Sequence, residues 1–520
     1  MSIAEPSGSA DSAAELNERP VGVSHLLAAD DALSPGRWGT HITLCGAELQ
    51  SPSATAVAQD EDSEWSPEDV RYCPECVQEA HRWVSEASPA DEEGGHPLSC
   101  SPGWPVSDNV QDQKRGHLVA EVIADSARAA QLRGRLTDEL VTAGTIVSKE
   151  VEAAFRTVPR HLFAPGATLE ESYAQDTVRV KHDEHGIAIS MVSAPRIQAM
   201  MLEQAGLRPG MRVLEIGSGG YHAALLAELV GADGEITTVD IDPEVTDRAR
   251  GCLTEAGYSR VNVVLADAEG GVPQHAPYDR IIVTVGAWDI PPAWVDQLAE
   301  GGQLVVPLRM RGLTRSIVFE RDGGHLVSRT YELCSFVPMQ GAGQRRERMI
   351  PLDGTAVGLR VDDGQQVDAD GLREALSQPR VQAWSRVTIG PGDRFDGLHL
   401  WLALALPGFG RLIAQREAVD RGIVAHAWPL GVPTAVAEGS FAYLGLRPVT
   451  QDRQWVEFGT YAHGPDAETL AHRMIQHIQS WDRTSLSARI QAHPAGTPDD
   501  HLPEGLVLDK KHTRVVISWP

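Results

Sequence analysis

VLEIGSGGYHA, residues Val213–Ala223, runs from an apolar strand into a glycine turn and then into the Ala/Leu-rich helix HAALLAELV. A buried strand that ends in glycines and turns directly into a helix is a nucleotide-cradling element. Gly217, Gly219 and Gly220 let backbone approach a ligand closely and take φ > 0 without a Cβ penalty. The helix start offers unpaired N–H groups. Glu215 lies just before the turn, within reach of a ligand's charged or hydroxyl groups.

The strands downstream of the turn sharpen this reading. EITTV, residues 235–239, is a second buried strand with Asp240 at its end. About twenty residues separate the turn from this acid, the right interval for a carboxylate on ribose hydroxyls. A third strand, Val261 to Leu265, leads to Asp267, and a fourth, Arg280 to Val285, to Gly286. Such runs put their polar ends on one edge of a parallel sheet, where open α/β sheets bind ligands. The turn reads Gly217-Ser218-Gly219-Gly220-Tyr221-His222, so the dinucleotide fingerprint G-x-G-x-x-G fails. The E-x-G-x-G-G form favours S-adenosylmethionine. The cofactor residues expected are Glu215, Gly217, Ser218, Gly219, Gly220, Tyr221, Asp240, Ile241, Asp267 and Ala268. Asp242 is a second acid near the ribose edge and reads better as a helix-start residue stabilised by the dipole.

The 520 residues suit three or four domains, and the composition is that of an ordinary soluble protein. A net charge of −27 argues against a nucleic-acid or anionic-membrane surface, because phosphate contacts need clustered Lys and Arg. No run of 18 apolar residues and no signal peptide are visible, so a cytoplasmic location is expected. Six cysteines are too few for a disulfide framework.

Residues 1–20 read as a disordered tail and 21–83 as a small module. The module holds Cys73-Pro74-Glu75-Cys76, with Cys45 before it and His25 and His41 upstream. Three cysteines and one histidine would close a tetrahedral structural zinc site. The other reading is a set of ordinary reduced cysteines. His25 or His41 would be the fourth ligand, and His81 is a poorer choice. Residues 51–100 hold 12 Asp/Glu and 2 Arg, and an acidic linker is expected over 84–115. Residues 116–345 form the central domain, helical at first, with the extended GIAISMVSAP ahead of a helix near Arg196. Residues 346–520 form a mixed α/β or α+β domain, in which HLWLALALPGFG is apolar enough for core.

Five ordered motifs carry a more specific resemblance: VEAAFRTVPRHLFAP, VSAPRIQAMML, LRPGMRVLEIGSGGYHAALLAEL, YDRIIVTVGA and LAEGGQLVVPL. Over about residues 130–345 the chain resembles the protein L-isoaspartyl O-methyltransferases. VDIDPE, ADAEGGVPQHAPYDRIIVTVGAWDIPPAWVDQL and CSFVPMQGAG resemble a subgroup, the FxLD-system methyltransferases found with ribosomally made peptides. The resemblance implies a Rossmann-like core and S-adenosyl-L-methionine as cofactor. It also implies an acceptor Asp carboxylate in a lanthipeptide-type precursor, already cyclised, leading through succinimide to isoaspartate. In the family a Ser of the T-I-S-x-P motif contacts the acceptor, and Ser193 of VSAP matches it, with Ser190 nearby. Ser193 also reads as an N-cap of the following helix. Asp176 of YAQD matches the acid before the family's L-P-I motif. Val178-Arg179-Val180 replaces that motif here, which puts a repair-type pocket in doubt, and Arg179 could face the acceptor. The N-terminal module resembles segments of the form HLL…LCGA…YCPECV, which favours His25. The rival readings are a general isoaspartyl repair enzyme, a non-catalytic peptide-binding protein that kept the fold, and a small-molecule O-methyltransferase.

Overall fold

The computed structural model describes residues 109–519, apart from 184–187, 218, 346, 363, 392, 427, 429–430, 452–453 and 482–487, with side chains from 126 onward. The possible zinc ligands His25, His41, Cys45, Cys73 and Cys76, and also Ser218, lie outside the described residues. The chain falls into two compact units. Of the described residues, one takes in those of 109–182 and 190–266, the other those of 183–189 and 267–519.

The first unit begins with a long helix, α1 (Asn109–Thr142), that starts inside the stretch 84–115 expected to be linker. Its Leu136 and Leu140 are buried against the unit's core. Helix α2 (Lys149–Thr157) follows, capped by the Ser148 side chain on the Val151 N–H. A 3-10 turn, Arg160–Phe163, and the short α3 (Leu169–Ser172) lead to strands β1 (Val178–His182) and β2 (Ala188–Val192). Helix α4 (Pro195–Ala205) precedes the nucleotide-binding half.

That half is β3 (Arg212–Ile216), α5 (Tyr221–Val230), β4 (Glu235–Asp240), α6 (Pro243–Glu255) and β5 (Asn262–Leu265). β3 pairs parallel with β4, Val213 opposite Ile236, and β4 pairs parallel with β5, Thr237 opposite Asn262. Parallel neighbours need a crossover, and the two helices supply it. Helix α5 is apolar nearly all round because it is nearly all buried. Ala223 to Ala227 have no exposed surface, and Glu228 is its one exposed residue. An Ala/Leu helix of this kind lets strand and helix approach closely with little side-chain entropy lost.

In the second unit β6 (Tyr278–Val283) pairs parallel with β7 (Leu298–Met310) after the short α7 (Pro292–Asp296). β7, β8 (Leu313–Asp322) and β9 (His325–Leu333) then continue as an antiparallel meander. Residues from 347 build a separate seven-stranded sheet. Its strands are β10 (Glu347–Asp353), β11 (Val357–Asp362), β12 (Val381–Ile389), β13 (Phe409–Ala414), β14 (Val432–Ala437), β15 (Ser440–Pro448) and β16 (Val456–His463). The order is β10-β11-β13-β14-β15-β16-β12, and each pair is antiparallel. Helices α8 (Ala369–Ser377), α9 (Asp396–Ala405), α10 (Arg416–Asp420) and α11 (Ala467–Ser480) intervene along the chain, and α11 packs on β12, β15 and β16. The apolar run from His399 is core as expected: Leu398, Leu400, Leu402 and Leu404 are all buried in α9.

The last three strands do not extend this sheet. β17 (Arg489–Pro494) pairs with β9, Gln491 opposite Val327, and β19 (Thr513–Ser518) lies between β17 and β18 (Leu506–Asp509). A segment placed by sequence in the 346–520 domain therefore completes the meander that begins before residue 345.

The seven-stranded sheet and its helices bury three histidines in an aromatic setting. Burial pushes His399 down to about 3 and His426 and His463 down to about 4. Each is neutral when folded at pH 7 and takes up a proton more readily once unfolded. Stability is then fully present above the ordinary value of 6.5 and is lost as pH falls toward about 4. The thermal midpoint, followed by calorimetry, should fall steadily through that window. A midpoint flat from pH 6.5 to 4.5 would show that these rings are not held neutral by the fold.

Candidate active site

The glycine turn has the backbone the sequence demanded. Gly217 sits at φ 103° and Gly220 at φ 84°, both in the region L side chains avoid. At Gly220 an added Cβ would also lie 3.0 Å from the Phe163 ring. Gly219 has only the Met191 carbonyl at 3.7 Å from a built Cβ, so the turn leaves room over its backbone. Helix α5 begins at this turn with Gly220 as its N-cap and no side chain closing its first N–H groups.

Two residues expected at the cofactor have buried side chains with partners inside the unit. The Glu215 carboxylate is buried within the unit: Thr238 Oγ1 donates to it at 2.5 Å and His222 Nδ1 lies at 3.1 Å. Its side chain is 1% exposed, so it holds the end of β3 to β4 and to the first turn of α5. The Tyr221 ring is likewise core. It packs edge-on to Phe155 and obliquely on Phe163, with the Arg160 guanidinium 5.0 Å over its face. The Glu215 carboxylate and the Tyr221 ring are thus engaged inside the unit, beside the backbone of the glycine turn.

Asp240 is half-buried at the end of β4, and its Oδ1 accepts the Asp242 N–H at 2.9 Å. Ile241 beside it is an exposed apolar side chain, 38% accessible. Asp242 is the N-cap of α6, accepting from the Glu244 and Val245 N–H groups, as its helix-start reading required. Lys181 on β1 pairs with Asp242 at 2.7 Å and with Glu244 at 2.6 Å. Burial raises the Asp242 pKa, but the Lys181 and backbone hydrogen bonds outweigh it and hold the carboxyl below its ordinary range. A glycine cradle with room above it, an uncapped helix start, an acid at the next strand end and an adjacent apolar surface fit S-adenosylmethionine. The cradle suits the methionine part, the acid the ribose hydroxyls and Ile241 the face of a base.

In the second unit Asp267 accepts from the Glu269 N–H at 3.0 Å and from the Ala342 N–H at 2.8 Å, so backbone groups fix both its oxygens. Ala268 is buried, and its carbonyl accepts the Trp294 indole N–H at 2.7 Å. Glu269, next along, bonds Lys511 at 2.8 Å and His512 at 2.7 Å.

The residues expected on the acceptor side are Asp176, Arg179, Ser190 and Ser193. Asp176 and Arg179 are exposed. Asp176 Oδ1 accepts the Thr177 N–H at 2.6 Å. Ser190 Oγ accepts from Arg248 at 3.1 Å. That bond occupies a lone pair and leaves the Ser190 hydroxyl proton to donate elsewhere. Ser193 is half-buried and makes no hydrogen bond among the described residues. It is not the cap of α4. Ala194 holds that position without a side-chain bond, and Pro195 follows it as the first helical residue, where no N–H needs a partner.

Arg160 is the residue that sequence reasoning missed. Its guanidinium is fully buried and donates to the Ser172 carbonyl at 2.7 Å, Gln198 Oε1 at 2.9 Å, the Asp176 carbonyl at 3.3 Å and the Val192 carbonyl at 3.5 Å. Burial pushes its pKa down to about 10, which leaves it charged at neutral pH. The VPRHLF motif is the visible signal, but an arginine in it reads as surface. Arg160→Met should destabilise the protein by about 3 kcal/mol, since several buried acceptors lose their donor together. Urea unfolding of the full chain reads this, and a change below about 0.5 kcal/mol would remove Arg160 from the framework of the site.

Comparison with known proteins bears on this geometry. The family model for protein-L-isoaspartate(D-aspartate) O-methyltransferase matches residues 131–344. The protein-L-isoaspartate O-methyltransferase of Hyperthermus butylicus is 40% identical over 227 residues, 42% of this chain and 92% of that protein. That of Methanopyrus kandleri is 40% identical over 212 residues, 40% of this chain and 91% of that protein. The solved structure of a putative protein-L-isoaspartate O-methyltransferase from Plasmodium falciparum, in complex with S-adenosyl-L-homocysteine, is 18% identical. It covers 40% of this chain and 98% of that one at a TM-score of 0.36, too low to carry weight. Among the described residues no group of His, Cys, Asp and Glu could hold a metal, and no helix is long and apolar enough to cross a membrane. The chain belongs to the protein-L-isoaspartate O-methyltransferase family and is an S-adenosylmethionine-dependent carboxyl O-methyltransferase with a Rossmann-like α/β core.

Proposed function

We propose that the acceptor is the side-chain carboxylate of an aspartate in a ribosomally made, lanthipeptide-type precursor peptide that has already been cyclised. The observation that carries this reading is where the family match stops. Residues 131–344 account for nine-tenths of the relatives, yet the seven-stranded sheet of residues 347–463 lies wholly outside the match. An enzyme serving any damaged protein needs an open, unspecialised site, whereas one dedicated peptide justifies a large added surface. Val178-Arg179-Val180, with Arg179 exposed where the family has L-P-I, supports the same reading.

The chemistry asks little of the protein. An aspartate carboxylate is already ionised near pH 7, so no general base is needed. S-adenosylmethionine would supply the methyl group. Asp240 and the glycine-turn backbone would hold the cofactor. Ser193 and Ser190 would donate to the acceptor carboxylate and orient it for methylation, with Arg248 fixing the Ser190 rotamer. Alignment in a dry site is then the main catalytic term. The ester is a better leaving group than the free carboxylate. Attack by the next backbone nitrogen expels methanol and closes a succinimide, which hydrolyses mainly to isoaspartate.

A second reading comes from the relatives' own names, with an L-isoaspartyl residue of a damaged protein as acceptor. Intact mass separates the two. Incubation with S-adenosylmethionine and the cyclised precursor should add one methyl group and then leave a product lighter than the start by one water. Methylation of a generic isoaspartyl peptide, with no change in the precursor, would establish the second reading instead. Asp240→Asn should raise the KM for S-adenosylmethionine about tenfold or more with kcat little changed, because a hydrogen bond to a charged group is lost in binding. An unchanged KM would move the ribose contact elsewhere.

A further inference from the structure

Five buried polar atoms without a hydrogen-bond partner among the described residues belong to one small cavity in the second unit. They are Arg309 Nε, Arg315 Nε, Arg411 Nε, Glu347 Oε1 and His399 Nε2. The three arginines come from β7, β8 and β13 and are 7%, 1% and 8% exposed. Glu347 opens β10. Its Oε1 lies 4.0 Å from Arg309 Nε and 3.7 Å from an Arg411 terminal nitrogen, and its Oε2 lies 3.5 Å from Arg360 Nε. No hydrogen bond joins Glu347 Oε1 to Arg309 or Arg411, so it attracts them without satisfying them. The lining therefore sets three guanidiniums against one carboxylate. Two further acids stand near: Asp396 faces Arg315 and is hydrogen-bonded to Arg394, and Asp362 faces Arg309. Part of the positive charge is thus offset, yet none of these acids accepts a hydrogen bond from the three Nε groups.

Convergent, desolvated arginines are costly unless something pairs with them, and their forked donors match oxyanions. Their convergence is the more informative in a chain of net charge −27. The backbone acceptors already used also fix the side chains in place. Arg315 gives one terminal nitrogen to the Asp396 carbonyl and one to the Thr314 carbonyl, both at 3.0 Å, and Arg309 gives one to the Arg345 carbonyl at 3.0 Å. All three side chains line the cavity, and the Nε of each is left without a partner among the described residues. Gly286, just past the carboxyl end of β6, lines the same cavity, and that is the edge where open α/β sheets take ligands.

We propose that this cavity is an oxyanion-binding site, which takes a carboxylate or phosphate group borne either by the peptide acceptor or by a free small molecule. It is built from second-unit residues alone, whereas Asp240 and the glycine turn belong to the first unit, and it does not depend on which aspartate is methylated.

The test uses the full chain. Its thermal midpoint is followed against sodium sulfate and sodium acetate, with sodium chloride at equal ionic strength as control. A saturable rise with either oxyanion beyond chloride is expected. Glu347→Gln removes the one competing carboxylate of the lining and should lower the half-saturating sulfate concentration several-fold. Arg411→Met should abolish the rise. If Arg411→Met fails to fold, the wild-type and Glu347→Gln titrations still decide. No rise beyond chloride, or a rise that Glu347→Gln leaves unchanged, overturns the proposal and returns the arginines to a purely structural role. Once binding is established, steady-state methylation separates the sources. Inhibition by sulfate competitive with the peptide assigns the cavity to an acidic group of the acceptor, and binding without such competition assigns it to a free ion.

Discussion

Three stretches of backbone in the first unit hang on one buried guanidinium. Arg160 reaches the carbonyls of Ser172, Asp176 and Val192 and the side chain of Gln198. These partners flank the segments that carry Asp176 and Ser193 and lie on the helix after them. Main-chain carbonyls are weak partners for a full charge, so several are needed where one carboxylate would have served. The arrangement trades pairing strength for reach: a single side chain sets the spacing of three stretches of backbone. Tyr221 closes the other face of the same guanidinium, so the framework also touches the first turn of α5, where the cofactor's cradle begins.

A comparable device fixes the cofactor edge. Glu215 ends β3 but commits its oxygens to Thr238 and His222, one in the neighbouring strand and one in the following helix. The three groups hold strand, strand and helix at the distances a glycine turn requires. Asp240, one strand over, is half-buried, with its Oδ1 accepting the Asp242 N–H. Position along the chain is the same kind of signal for both acids, and only their surroundings differ.

That difference marks the limit of what is legible in the sequence. The strands and helices of the nucleotide-binding half are readable because apolar runs, a glycine turn and strand-end acids are local patterns. The helix-start role of Asp242 is readable for the same reason. The direction a side chain takes is not local. Position on either side of the glycine turn places Glu215 and Tyr221 among the cofactor residues, while both side chains lie in the core, and Arg160 escapes notice because charge along a sequence suggests solvent. Ser193 is one residue too early to cap α4, a distinction finer than a residue pattern resolves. Arg309, Arg315 and Arg411 meet only because two separate sheets of the second unit approach, which no spacing in the chain announces.

The return of β17 to β9 has a consequence for how the molecule is made. Gln491 pairs opposite Val327, so the contact closes a loop that contains an entire seven-stranded sheet. The entropic cost of closing a loop rises only slowly with its length, so the connection tolerates the insertion of a whole sheet. Contacts this distant in sequence also form slowly. The β9 edge of the meander begun by β7 therefore has no partner until the chain beyond the inserted sheet is made, and the ladder cannot be finished before β17 to β19 emerge.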